Sequence, residues 1–147
     1  MRWFWAAAGA ASAAIAMRAA RRRWLVITVY GVSMSTSYPA GSRVLVRRRQ
    51  SAPNRGDVVL VPHPDVDAGW QLTASPRADG SPPWFLKRVT AIAGDPVPDR
   101  PGDRLSPDTV YLLGENDQSW DSRRLGPCPV AAVSGVVVAT LSRPSHR

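Results

Sequence analysis

Beyond residue 23 the chain consists of short β-branched and aromatic runs, separated by connections rich in Pro, Gly and Asp. Such runs are typical of β-strands, and the candidates cover residues 24–29, 43–46, 57–61, 84–92, 109–113 and 131–141. No helical periodicity longer than two turns follows residue 23. The pattern predicts an all-β fold in which antiparallel strands form a sandwich or a barrel-like sheet.

Two of the predicted strands have features that suggest how they sit in the sheet. Residues 57–61 read DVVLV, and this near-continuous apolar run predicts burial on both faces. Within residues 131–141, Gly135 predicts a β-bulge. The connection 62–83 is most simply a surface loop.

An uncharged apolar segment, residues 3–17, precedes this region and is followed by Arg18 and by RRR at 21–23. A helix of this length spans roughly 22 Å, and extending it to Ala20 gives roughly 27 Å, against about 30 Å for a bilayer core. Three interpretations are open: a short membrane anchor, which we favour, a cleaved signal peptide, or an Ala-rich soluble helix. We therefore expect an N-terminal apolar helix with a basic flank in residues 1–23 and a β-domain in residues 24–147.

The charges are distributed unevenly along the chain. No acidic residue precedes Asp57, whereas ten arginines lie at or before Arg55, and the remainder is slightly acidic. A domain that wraps nucleic acid usually carries its basic excess in the folded body, so no nucleic-acid partner is expected. The positive-inside rule would keep the basic flank of the apolar segment in the cytoplasm.

The inventory of reactive side chains excludes several kinds of site. Cys128 is the single cysteine, which excludes an intramolecular disulfide and a multi-cysteine zinc site. The two histidines, His63 and His146, do not form a metal-binding motif, and no metal or cofactor is expected. Lys87 is the only lysine among 19 basic residues. Unlike arginine, a desolvated lysine can lose its proton near neutral pH.

Three motifs carry the chemistry of the chain. They are GVSM at residues 31–34, FLKRV at 85–89 followed by Gly94 and Asp95, and GENDQSWDSR at 114–123. In this order and spacing they resemble the signature segments of type I signal peptidases, which are membrane-bound Ser-Lys endopeptidases. The resemblance extends over residues 24–141, most of the chain.

The chemistry of a Ser-Lys pair can be followed from the residues themselves. A serine hydroxyl is a poor nucleophile and needs a base that takes its proton. On an extended segment Phe85, Lys87 and Val89 point to one side, so apolar neighbours would lower the pKa of the lysine. The resemblance assigns the nucleophile to Ser33 and the base to Lys87. Ser35 and Ser37 lie close by as alternative hydroxyls.

The resemblance also implies roles for residues around the pair. The Ser119 hydroxyl would orient the Lys87 amine, and Asp121 and Arg123 would form an ion pair on one face of an extended segment. The backbone N–H of Ser33 would stabilise the oxyanion. Some family members have a second donor from a hydroxyl at the position of Gly31, which here has no side chain. Met34 is a candidate for lining a shallow apolar substrate pocket.

The chain departs from the family pattern at several positions. Residues 35–39 read STSYP, where the family usually has one residue followed by Pro-Thr. Ser42 replaces an Asp after Gly41, and Glu115 replaces the usual Asp of Gly-Asp-Asn. These changes spare the predicted Ser33-Lys87 dyad but alter the turn behind it.

The first functional hypothesis is a single-pass, membrane-anchored serine endopeptidase. It would cleave signal or leader peptides from precursor proteins after small residues, with membrane lipid as a further partner. The resemblance implies that the catalytic domain lies outside the cytoplasm, in conflict with the charge pattern. A second hypothesis keeps the dyad in a maturation protease dedicated to one precursor. A self-cleaving regulator of the SOS-repressor type would need a helical DNA-binding domain, which the sequence lacks.

A third hypothesis is a basic β-module without enzymatic activity that binds nucleic acid or an anionic membrane. Its binding would weaken steeply with salt and would not depend on Ser33. The slightly acidic composition after Asp57 argues against it.

Overall fold

The computed structural model describes residues 17–18 and 22–144. In this part of the chain seven strands form one antiparallel sheet: β1 (Trp24–Thr28), β2 (Arg43–Arg48), β3 (Val58–Pro62), β4 (Trp84–Ile92), β5 (Thr109–Leu113), β6 (Cys128–Pro129) and β7 (Gly135–Ser142). A short helix, α1 (Ser122–Leu125), and a 3-10 turn (Val130–Ala132) flank β6. The prediction of an all-β antiparallel fold is confirmed.

The strand order across the sheet is β1-β2-β7-β3-β4-β5-β6. The C-terminal strand β7 inserts between β2 and β3, so the two ends of the described chain are joined in one sheet. β3 is buried along its whole length, which confirms the two-sided burial predicted from its apolar run. Val59 and Val61 pack into one core cluster, whereas Val58 and Leu60 pack into a second. The alternation of side chains along β3 therefore connects the two halves of the core.

The last predicted strand differs from the observed one. Residues 130–132 form a 3-10 turn, and β7 begins only at Gly135. The register shifts in the β2–β7 pair lie between Arg43 and Val44 and between Leu45 and Val46, so the bulge predicted at Gly135 is wrong. A Cβ at Gly135 would come within 2.6 Å of Val46 Cγ1 and 2.7 Å of the Arg47 carbonyl oxygen. Glycine is needed at this position because β7 and β2 approach each other too closely for a side chain.

The predicted N-terminal apolar helix, residues 3–17, lies outside the described residues apart from Met17. Among the helices of residues 17–18 and 22–144, none has the length and apolar character that a membrane span requires. Arg22 and Arg23 are exposed and helical, and they lead directly into β1. The connection 62–83 is largely irregular and includes an isolated bridge between Asp65 and Gly69.

Candidate functional site

A cavity of about 240 Å³ opens where the chain leaves β1. It lies between the turn that follows β1, the first half of β4 and the segment after β5. Its apolar wall includes Ile27, Val29, Leu60, Trp84 and Leu86. Five of the predicted site residues line it: Gly31, Ser33, Met34, Lys87 and Ser119. The fold therefore brings three motifs that are distant in sequence to one cavity.

Lys87 lies in the middle of β4, opposite Val59 of β3. Its side chain is fully buried, and the amine lies 4.8 Å from the centre of the Phe85 ring. Phe85 and Val89, two residues to either side, both pack against the first core cluster. The predicted placement of Lys87 between apolar neighbours is confirmed, because alternation along β4 puts all three residues on one face.

The Lys87 amine donates a buried 2.6 Å hydrogen bond to Ser119 Oγ. Burial lowers the pKa of Lys87 from its ordinary 10.5 to about 8, because an ammonium ion loses its hydration inside the protein. The negative charge of Asp121 raises this pKa and the positive charge of Arg123 lowers it, both by less than burial. A neutral amine is therefore accessible at mildly alkaline pH.

Ser33 is half-buried in the turn that follows β1. Its carbonyl oxygen accepts a 2.6 Å hydrogen bond from the Glu115 backbone N–H, which joins this turn to the segment after β5. In the part of the chain that the structure describes, no hydrogen bond joins the Ser33 hydroxyl to the Lys87 amine. Catalytic hydrogen bonds are often long before substrate binds, so the shared cavity is the informative relationship.

Asp121 and Arg123 form an ion pair of 2.7 Å behind the cavity. The segment is not extended as predicted: Asp121 is the N-cap of α1, and its carboxylate also accepts from the backbone N–H groups of Arg123 and Gly114. Burial would raise the pKa of Asp121, but these hydrogen bonds outweigh burial and hold the pKa below its usual value. The buried carboxylate is thus a stable negative charge near Lys87.

Gly31 and Met34 occupy different parts of the turn after β1. Gly31 is exposed, with a φ of 76°, a conformation that favours glycine over a residue with a side chain. Met34 is almost fully buried and belongs to the second core cluster. The thioether therefore forms part of the cavity floor, while Gly31 leaves the rim open.

A polar cluster beside the site was missed from the sequence. The Glu115 carboxylate accepts from the Ser37 hydroxyl and from the Ser37 backbone N–H, the latter at 2.9 Å. Arg88 lies 3.2 Å from the same carboxylate and also donates to Ser37 Oγ. Burial would raise the pKa of Glu115, but the hydrogen bonds from Ser37 and Arg88 lower it. The sequence did contain an indication of this cluster, since Ser37 and Glu115 both depart from the family pattern.

Gly114 was also missed as a residue of the site. A Cβ at this position would overlap Ser119 Oγ and lie 3.0 Å from the Ser33 carbonyl oxygen. The chain passes so close to both residues that a side chain cannot fit without moving them. Gly114 is therefore required by the packing of the site.

The cysteine and the histidine that could ligate a metal ion lie outside the residues that line the cavity. Cys128 is buried in the first core cluster, and burial raises the pKa of its thiol to about 12. His63 Nδ1 lies 2.8 Å from the Pro64 carbonyl oxygen, and the His63 ring packs against Phe85. Within residues 17–18 and 22–144 there is no group of three or more His, Cys, Asp or Glu that could hold a metal ion.

Comparison with known proteins adds to this geometry. The protein-family model described as signal peptidase, peptidase S26, matches residues 1–106 of the chain. The matched part includes Ser33 and Lys87, whereas Ser119, Asp121 and Arg123 follow it in the sequence. Among curated proteins, no sequence matches this chain.

Proposed function

Because this chain belongs to the signal peptidase family, peptidase S26, we propose that it is a serine endopeptidase in which Ser33 is the nucleophile and Lys87 the general base. Family membership indicates peptidase activity of the signal-peptidase type in general. One observation carries the assignment of residues: a fully buried lysine amine, hydrogen-bonded to Ser119 Oγ, shares a cavity with Ser33.

In the first half of the proposed reaction, neutral Lys87 takes the proton of the Ser33 hydroxyl. The Ser33 oxygen attacks the scissile carbonyl carbon and forms a tetrahedral intermediate. When the peptide C–N bond breaks, the Lys87 ammonium returns its proton to the leaving amine. The product is an acyl-enzyme on Ser33 and a released peptide with a new amino terminus.

In the second half, water replaces the leaving peptide. Lys87 takes a proton from this water, which attacks the ester carbonyl, and the proton then passes to the Ser33 oxygen as the acyl group leaves. Both halves need the amine uncharged at the start. The buried position of Lys87 supports this role, because desolvation favours the neutral form.

The surrounding residues are proposed to position these groups. The Ser119 hydroxyl holds the Lys87 amine in place, and the Asp121–Arg123 pair fixes the segment that carries Ser119. The backbone N–H of Ser33 donates to the oxyanion. With no hydroxyl at Gly31, a second donor would come from the backbone or from water.

The proposed substrate is a precursor protein or peptide with small residues, such as alanine, before the cleavage site. Met34 and the apolar cavity wall would contact these residues. We further propose that residues 24–147 are the catalytic unit and that residues 1–23 anchor it to a membrane, with the catalytic unit outside the cytoplasm.

The test is cleavage of a precursor peptide that carries an Ala-x-Ala site. The Ser33→Ala, Lys87→Ala and Lys87→Arg variants should all be inactive, the last because a guanidinium cannot serve as the base. Ser35→Ala is the matched control, since Ser35 is an exposed hydroxyl in the same turn. Undiminished cleavage by the Ser33 or Lys87 variants, or loss of cleavage only in Ser35→Ala, would overturn the assignment.

A further inference from the structure

The cavity that holds Ser33 and Lys87 has large apolar side chains at its mouth as well as inside it. Three of these line the cavity and yet remain exposed: Tyr30 is 65%, Val32 62% and Trp120 36% exposed. We call these three residues the apolar rim. Exposed apolar side chains clustered around a cavity mark a contact surface for the ligand that enters it.

The floor of the same cavity has a different character. Met34, Leu60 and Leu86 line it, and all three are buried in the second core cluster. Side chains that are already close-packed in a core yield little to a bulky neighbour. The floor therefore favours small substrate side chains, whereas the rim has apolar surface that is still in contact with water.

Trp120 is held at the mouth by its surroundings. It lies between two buried residues, Ser119, which bonds the Lys87 amine, and Asp121, the N-cap of α1. The Arg124 guanidinium lies 5.7 Å from the centre of the Trp120 ring, within the range of a cation–π contact. The indole is thus kept at the rim with part of its surface open.

Tyr30 and Val32 belong to the segment that joins β1 to Ser33. Gly31, between them, is exposed, and apart from its chain neighbours no atom lies within 4 Å of the position that its Cβ would take. The Ser33 carbonyl oxygen, bonded to the Glu115 backbone N–H at 2.6 Å, ties this segment to the one that follows β5. The two parts of the rim therefore lie on segments that are joined beside the nucleophile.

We propose that the apolar rim selects a large apolar residue at the middle position, x, of an Ala-x-Ala cleavage site. The proposal rests on the peptidase activity proposed above and adds a specificity to it. Successive side chains of an extended peptide point to opposite sides. When both alanines point to the floor, x points to the mouth, where the rim lies. Leucine or phenylalanine at x then removes apolar surface of both partners from water.

Two other occupants fit the rim less well. An acidic residue at x could approach Arg124, which is exposed beside Trp120. The attraction of one solvated charge is screened and contributes little, whereas the rim offers three apolar side chains. A second copy of this chain seated on the rim would cover the mouth of the cavity and exclude the substrate.

The experiment measures kcat/KM of the full chain on soluble peptides that differ only at x. Peptides with leucine or phenylalanine at x should be cleaved with a kcat/KM roughly tenfold above that of the serine peptide. Aspartate at x should be no better than serine. A second series keeps serine at x and exchanges serine for leucine directly after the cut. This exchange should have a smaller effect than the same exchange at x.

Variants of the rim test which side chains carry the preference. Trp120→Ser and Val32→Ser should each lose most of the preference for leucine over serine at x, and Trp120→Phe should keep it. Val66→Ser/Leu72→Ser is the matched control, because it removes exposed apolar side chains from the 62–83 connection, away from the cavity. It should keep both the kcat/KM and the preference of the wild type. Circular dichroism confirms that each variant is folded.

Several results would overturn the role of the rim alone. They are cleavage that depends on Ser33 but not on x, a preference for aspartate at x, a stronger preference at the residue after the cut, and an unchanged preference in Trp120→Ser. A dimer in sedimentation that Trp120→Ser converts to a monomer would assign the rim to a second copy. Failure of the proposed function gives a different result, since Ser33→Ala would then cleave as wild type or no peptide would be cleaved, whatever stands at x.

Discussion

The amine of Lys87 and the hydroxyl of Ser119, 32 residues apart in sequence, meet in a buried hydrogen bond of 2.6 Å. The acceptor is a neutral hydroxyl rather than a carboxylate, so it does not compensate the charge of an ammonium ion. Burial without a bonded counter-ion favours the neutral amine. Asp121 and Arg123 act on the protonation of this amine through space and in opposite directions. The surroundings of Lys87 therefore favour an uncharged amine, which is the form that can act as a base.

The first prediction concerns the pH dependence of peptide cleavage. The base must be uncharged, and the pKa of Lys87 is lowered by burial to about 8. We expect kcat/KM to rise with pH and to reach half of its plateau near that value, because protonated Lys87 cannot accept the Ser33 proton. The measurement is a pH profile of kcat/KM on a soluble peptide. A profile that falls as the pH rises through this range would contradict the assigned role.

The second prediction is that Lys87→Met stabilises the protein while abolishing cleavage. Lysine binds its proton up to about pH 10.5 when unfolded but releases it near pH 8 when folded. Lys87 therefore destabilises the fold below pH 8, and this cost disappears as the pH rises to 10.5. Replacement by methionine should add roughly 1–3 kcal/mol to the free energy of unfolding at neutral pH.

Urea unfolding of Lys87→Met and wild type, at neutral pH and at high pH, measures this effect. The advantage of the variant should shrink at high pH. Arg100→Met, a control on an exposed arginine of the loop between β4 and β5, should leave the free energy of unfolding nearly unchanged. A large loss of stability in Lys87→Met at neutral pH would show that the amine is not a destabilising buried charge.

The third prediction distinguishes the effects of Asp121 and Arg123 on the pKa of Lys87. Asp121 raises the pKa of Lys87 and Arg123 lowers it. Asp121→Asn should therefore move the rising limb of the kcat/KM profile to lower pH, and Arg123→Gln should move it to higher pH. Asparagine can still cap α1, so the loss of stability in Asp121→Asn should be about 1–2 kcal/mol. Shifts of both variants in the same direction would contradict the electrostatic explanation.

Much of the sheet could be predicted from the sequence because strand and turn residues alternate so clearly. The predicted bounds of β4 and β5, 84–92 and 109–113, are the observed ones. Two-sided burial of β3 followed from its uninterrupted apolar run. β7 was predicted to begin too early, since the apolar residues 130–132 fit a 3-10 turn as readily as a strand. Local pattern alone does not distinguish these conformations.

The candidate site shows a similar division. The resemblance of the three motifs to the family predicted that Ser33, Lys87 and Ser119 would meet, and they line one cavity. Their catalytic roles remain a proposal. The contact of Ser37 with Glu115 was missed although both residues depart from the family pattern, because they are 78 positions apart and no local pattern pairs them. A longer acidic side chain at one position and a hydroxyl at the other are complementary only after folding brings them together.

The fourth prediction tests whether the Ser37–Glu115 contact positions the nucleophile. The Glu115 backbone holds the Ser33 carbonyl, and its carboxylate holds Ser37 at the other end of the same turn. Ser37→Ala and Glu115→Asp should each lower kcat by roughly tenfold with little change in KM, since the turn loosens without altering the substrate pocket. Aspartate keeps the charge but is one methylene too short to reach Ser37.

A double-mutant cycle on kcat provides the control for this pair. The combined Ser37→Ala/Glu115→Asp variant should be hardly worse than either single variant, because both remove the same contact. Ser35→Ala, in the same turn but exposed, should retain the wild-type kcat. Fully additive losses would show that the two residues act independently.

The fifth prediction concerns Gly114, where a side chain would collide with the site. A Cβ there would overlap Ser119 Oγ and lie 3.0 Å from the Ser33 carbonyl oxygen, so Gly114→Ala must push both residues outward. We expect a loss of at least about 100-fold in kcat/KM, together with a loss of stability of roughly 1–3 kcal/mol from overpacking.

Gly135→Ala is the matched control: its Cβ would meet Val46 and the backbone of Arg47, in the sheet rather than at the cavity. It should lose comparable stability yet retain kcat/KM at temperatures where it is folded, because only Gly114 touches the serines. Equal losses of kcat/KM in the two folded variants would mean that general destabilisation, and not displacement of Ser119, explains the effect.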